Sequence, residues 1–219
     1  MIELKNARSL ALKKPDLADL VGHIDRTPAG HTVKGMYVAG ILDALDARKV
    51  RRPDFRVQAF RDYPLRQYME LLLDAAVTLY PSQPIRSALV SLGKLAIPTF
   101  ASSIVGGVIM GTVGRSWDIA LKCVSKGYQI SLRPGNAVVT NAGPGRAVLQ
   151  LREVWNFADS YQVGVVEGLL EWCDLQGTVK PRVLGPCDVD LDIEWSEWGS
   201  YSRRDRETES NASRGVALD

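Results

Sequence analysis

Histidine, cysteine and any strong charge imbalance are all scarce in this chain. Its 219 residues hold 2 histidines and 3 cysteines. A Ser–His or Cys–His nucleophilic pair would have to recruit His23 or His31 from the N-terminal segment. Neither a G-x-S-x-G elbow nor a G-x-x-x-x-G-K-[ST] loop occurs, so no enzyme class is indicated. Cys123, Cys173 and Cys187 form neither a disulfide framework nor the tightly spaced pairs that zinc prefers, and they read as buried thiols. A net charge of +2 gives no reason to expect nucleic acid or acidic membranes as partners. The start, MIELKNARSLALKKPDL, lacks an apolar h-region, which predicts a reduced, cytoplasmic protein without a secretory signal.

The dominant positive feature is the segment Leu95–Gly114, LAIPTFASSIVGGVIMGTVG, which carries no ionisable side chain and is fenced by Lys94 and Arg115. Such a segment must leave water, as a membrane span, a core element or a pocket wall. Pro98, the hydroxyl residues and the glycines lower its hydrophobicity, and aromatic anchors do not flank both ends. The expectation is therefore no membrane span but a buried helix pair kinked at Pro98, with Gly106, Gly107 and Gly111 allowing close backbone approach.

Periodicity organises the rest. Residues 1–30 read as a polar lead-in with a weak helix at Pro15–Val21, and Gly35–Leu45 as the first strong helix. Arg48–Arg52 reads as a solvated basic loop. A long helix follows, capped by Asp62 and stopped at Tyr80-Pro81, with Leu65, Tyr68, Leu72, Ala75, Ala76 and Leu79 on one face. Further helices are expected from Ser82 and over Ser116–Ser125. Tyr128–Leu132, Ala137–Asn141 and Arg146–Leu151 then alternate as strands. Gln162–Leu175 is helical again, and Thr178–Leu184 with Asp188–Trp195 closes the domain as a hairpin around Gly185-Pro186. This order predicts an α+β fold, a helical N-terminal half packed on a twisted antiparallel sheet of about four to five strands. The domain spans 31–196, and the pattern-poor segment 197–219 reads as a disordered tail.

Other candidate chemistry has a plainer reading. Asp188, Asp190, Asp192 and Glu194 share one face of the last strand, but Ile193 stands where a calcium loop needs glycine. They read as a solvent-facing acidic stripe that discourages edge-to-edge aggregation. Gly143-Pro144-Gly145-Arg146 reads as a hairpin turn, and Glu167 with Glu171 as a water-facing helix pair.

VKGMYVAGILDAL, DYPLRQYMELLLDAAVTLYPSQPIRSALVSLGKLAIPTFASSIVGG, YQVGVVEGLLEWCDLQGTVK and CDVDLDIEW together resemble a domain of unknown function expanded as paralogues in myxobacteria. The likeness covers about Thr27 to Trp195. Its layout is in turn similar to the ligand-binding fold of haem–nitric-oxide domains, 4-vinyl reductase domains and TRAPP vesicle-tethering subunits. That resemblance implies a small apolar ligand or a protein partner, and no catalysis. Haem domains carry a proximal histidine and a Tyr-x-Ser-x-Arg motif, and the matching region here has neither; the vinyl reductase zinc site is represented by Cys187 alone. No cofactor and no metal are therefore expected.

The resulting expectation is a non-enzymatic regulatory or sensory module. Its apolar pocket would be walled by Ile97, Phe100, Ile104, Val108, Met110, Trp117 and Tyr128, spacious enough for a typical ligand, and read by an unidentified protein partner. The alternative is a scaffold with a filled core, forming a homodimer through a helix face such as Leu71–Leu79.

Overall fold

The computed structural model describes residues 2–52 and 55–197; the tail expected over 197–219 falls almost wholly outside them. The helices are α1 (Ala7–Ala11), α2 (Pro15–Arg26), α3 (Gly35–Ala47), α4 (Leu65–Leu79), α5 (Ile85–Gly93), α6 (Ala96–Ser102), α7 (Ile104–Val113), α8 (Trp117–Ser131) and α9 (Tyr161–Trp172). The strands are β1 (Ile2–Glu3), β2 (Thr32–Lys34), β3 (Val50–Arg51), β4 (Asp62–Pro64), β5 (Leu132–Arg133), β6 (Asn136–Gly143), β7 (Arg146–Arg152), β8 (Leu175–Val183) and β9 (Val189–Glu197). The fold is α+β. Its main sheet is antiparallel with strand order β6-β7-β9-β8, and helices cover one face.

Alternation explains that sheet. Ala147, Leu149 and Leu151 of β7 and Val189, Leu191 and Ile193 of β9 are buried beneath the helices, while their neighbours in sequence face outward. β9 is a central strand, which corrects the reading of its carboxylates as an exposed edge stripe. Asp190 is buried between Arg152, at 2.7 Å, and Arg182, and Asp192 pairs with Arg146 at 2.9 Å. Burial alone would raise the Asp190 carboxyl, but the arginine hydrogen bonds overcome it and hold the group below its ordinary range.

Helix α4 is the spine of the helical half. Met69, Leu72, Leu73, Ala75 and Ala76 are almost completely enclosed, each large side chain contributing about 1.5–3 kcal/mol of burial free energy. The face Leu71–Leu79 is therefore spent within the fold and is not free for self-association. Asp62 does not cap α4: it lies in β4, paired with Lys34 at 2.8 Å, and Pro64 precedes the helix. The N-terminal segment is also part of the core, since Leu17, Leu20 and Ile24 of α2 are buried. The basic run Arg48–Arg52 contains β3, paired in parallel with β1, and is no plain loop.

Helix α8 packs on β6 of the sheet, and α9 packs on β8 and on α5. At the α5–α9 crossing, a Cβ on Gly164 would lie 2.0 Å from the Val90 carbonyl oxygen and one on Gly93 would lie 2.1 Å from that of Tyr161. Only glycine lets these backbones approach so closely. The apolar segment forms α6 and α7. Together with α5 the pair has the length and composition of a span, yet it bends by 98°, and among the described residues no single helix is long and apolar enough to cross a membrane. The bend falls at Ser103 and not at Pro98. Pro98 occupies the first turn of α6, where its missing N–H costs nothing, whereas Ser103 is extended and its Oγ caps α7 by accepting from Gly106 N at 3.0 Å.

Candidate functional site

A cavity of about 100 Å³ lies where α3, α4, α6, α7, α8 and α9 converge on the sheet. Its surface is overwhelmingly apolar. Ile97, Phe100, Met110 and Tyr128, expected in a pocket wall, do line it. Ile104 and Val108 do not: they are 76% and 70% exposed, because α7 turns Ile109, Met110 and Val113 inward and this other face outward. Trp117 is buried elsewhere, tilted against Trp195 with ring centroids 5.3 Å apart. Of the glycines in the run, Gly106 is tightly packed, but a Cβ on Gly111 would meet nothing within 4 Å.

Tyr128 reaches the cavity from a helix and not from the expected strand. α8 continues through it to Ser131, because the fourth-residue spacing of Ala120, Val124 and Tyr128 seats that face against the core. Ser131 lies in the same wall, its hydroxyl donating to the Gly127 carbonyl at 2.7 Å.

The polar groups in the wall come from elements far apart in sequence. The Tyr37 and Ser131 hydroxyls are 2.6 Å apart, those of Tyr68 and Tyr161 are 2.7 Å apart, and Tyr128 donates to Gln162 Oε1 at 2.6 Å. Burial pushes all these phenols above their ordinary range, Tyr37 to about 12, so each remains a neutral hydroxyl near neutral pH. Asn156 also lines the cavity, 3% exposed, and its enclosed Oδ1 has no hydrogen-bond partner. Tyr37, Tyr68, Asn156, Tyr161 and Gln162 were not identified as pocket residues from the sequence. The one available signal was a tyrosine on an otherwise apolar helix face, as at Tyr37 and Tyr68.

The histidines lie apart from the cavity. His23 stacks on Trp155 at 5.4 Å, and its Nε2–H donates to the Trp155 carbonyl at 2.7 Å; His31 meets the same indole edge-on. Lys94 engages Glu167 at 3.2 Å and Glu171 at 2.7 Å, so the two carboxylates share one cation and are not simply solvated.

Residues 26–196 match a family described as a protein of unknown function, DUF2378. The chain belongs to this family. No curated protein matches it. Among solved structures it is similar to the Fe(II) unliganded H-NOX protein from K. algicida. That match has 11% identity and a TM-score of 0.53, covering 75% of this chain and 97% of the other. An H-NOX protein from S. oneidensis in the Fe(II)NO ligation state gives 15% identity and a TM-score of 0.55, covering 75% and 99%. An oxygen-binding H-NOX domain related to soluble guanylate cyclases, in its oxygen complex, gives 12% and 0.53, covering 74% and 93%. The DUF2378 chain thus shares the H-NOX fold.

The residues present do not fit a haem. The cavity wall contains no histidine and no cationic side chain to meet propionates, and its volume of about 100 Å³ falls well short of a porphyrin's needs. The buried phenols are held protonated and are already hydrogen-bonded. Among the described residues no group of three or more His, Cys, Asp or Glu side chains is arranged to hold a metal ion.

Proposed function

We propose that this DUF2378 chain is a non-enzymatic sensory or regulatory module of the reducing cytoplasm. A small apolar ligand occupies the cavity between helices and sheet, and a protein partner reads its presence. The observation that carries this reading is the two-sided character of α7. Ile109, Met110 and Val113 of that helix line the cavity, while Ile104 and Val108 present an apolar face to solvent. A ligand that shifts α7 moves both faces together, and the outer one is a surface for a partner. The H-NOX fold supports the reading as an analogy of architecture, since fold alone does not assign function.

The ligand is small. At about 100 Å³ the cavity is below the few hundred cubic ångströms of a typical ligand pocket. Native mass spectrometry of the protein purified from its own host tests the reading, because it reports bound small molecules and oligomeric state together. A stoichiometric small molecule released on denaturation supports it. Protein that carries none and that binds no small apolar probe contradicts it.

The exposed Ile104 and Val108 also favour a second reading, a scaffold that self-associates through α7 with no ligand. Ligand-free dimers in the same experiment would select it.

A further inference from the structure

The cavity's polar groups do not balance among themselves. Ser131 spends its proton on the Gly127 carbonyl, so the hydrogen bond between Ser131 and Tyr37 must use the Tyr37 proton. Tyr128 spends its proton on Gln162 Oε1. Tyr68 and Tyr161 share a single bond, so one of the two keeps an unused O–H. The Gln162 amide nitrogen has no partner among the described residues, and neither end of the Asn156 amide has one. The wall therefore holds a surplus of N–H and O–H donors, and Asn156, by turning its amide, can present either a donor or an acceptor.

Asn156 is not free to seek water. The turn that carries it is pinned on both sides: Val154 N–H donates to the Cys187 carbonyl at 2.9 Å, His23 holds the Trp155 carbonyl, and Gln162 N–H donates to the Phe157 carbonyl at 3.3 Å. Phe157, buried, adopts a φ of +53°, a left-handed conformation that a bulky residue takes only when its surroundings impose it. The fold thus keeps an amide against an apolar void where its hydrogen bonds go unmade unless an occupant makes them.

The wall contains no ionised side chain, so a charged head group would be desolvated without compensation. The cavity is smaller than the ~150 Å³ apolar cavity that admits benzene, which limits the occupant to about four heavy atoms. We propose that the ligand is a neutral carbonyl compound of this size, with its apolar body among Phe100, Met110 and Val166 and its oxygen accepting from the Asn156 and Gln162 amides. This deepens the pocket reading and rests on it.

A matched pair of probes separates the two. Acetone and isobutene have nearly the same shape, four heavy atoms each, and differ in the terminal oxygen or methylene. Each is titrated into the full chain and followed by amide chemical shifts, with Asn156→Leu and Tyr161→Phe as variants. The wild type binds the ketone at least about tenfold more tightly, and Asn156→Leu removes that preference. Equal affinity, or a preference for the hydrocarbon, means that a trapped water satisfies Asn156; that overturns the carbonyl assignment and leaves the pocket standing. If neither probe shifts a cavity resonance, the pocket reading falls with it. The wild-type comparison decides the matter even if Asn156→Leu fails to fold.

Discussion

The hydroxyls of Tyr68 and Tyr161 meet 2.7 Å apart in the cavity wall, their rings edge to face with centroids at 6.2 Å. One residue comes from α4 and the other from α9, so this contact joins the helical half to the helix that covers the sheet. Both phenols are buried, and the bond is formed away from competing water.

Replacing either tyrosine with phenylalanine leaves its partner's hydroxyl unmatched and costs about 1–3 kcal/mol of folding stability. The double variant Tyr68→Phe/Tyr161→Phe costs less than the sum of the singles, because the second change removes the stranded group. Urea unfolding of the three variants measures this directly.

Gly164 and Gly111 respond oppositely to alanine. At Gly164 a methyl would lie 2.0 Å from a backbone oxygen of α5, so Gly164→Ala forces the helices apart and costs about 1–3 kcal/mol or more. At Gly111, in a helix and with open space around a Cβ, alanine stabilises by roughly 0.5–1 kcal/mol. Thermal unfolding midpoints that fall for the first and rise for the second bear this out.

Regular elements were largely legible in the sequence, and the site largely was not. The strict alternation Asp188–Trp195 identified β9, and the apolar stripe from Leu65 to Leu79 identified α4. YQISL misled because a short run with an aromatic and an isoleucine satisfies both strand alternation and a helix's last turn. In the uncharged run, composition could not tell which face of α7 turns inward; only its packing against α6 and α8 decides that. Tyr37, Asn156 and Tyr161 are brought together by tertiary structure alone, with no local spacing to announce them.

Acid weakens the fold through its histidines. Burial lowers the folded-state pKa of both His23 and His31, so protonation favours the unfolded chain. Stability is complete above the unfolded value of about 6.5 and falls as pH drops below it toward the lowered folded values. His23→Gln, which keeps a donor for the Trp155 carbonyl, flattens this dependence in unfolding curves collected between about pH 5 and pH 7.5.

The outer face of α7 is separable from folding. Ile104→Ser with Val108→Ser changes stability by no more than about 0.5 kcal/mol per site, since both side chains are exposed. The same pair reduces association with the partner, or between copies, as read by sedimentation velocity of the complex. Unchanged association assigns recognition to another surface.

Everything proposed for this molecule turns on whether its cavity binds a small apolar molecule. It is tested most directly by the thermal unfolding midpoint as a function of acetone and, separately, of isobutene concentration, for the wild type and for Ala120→Met, which fills the cavity from a buried wall position. The midpoint rises with at least one of the two compounds in the wild type and stays flat with both in the variant. Equal shifts in the two proteins, or none in either, would overturn the pocket reading.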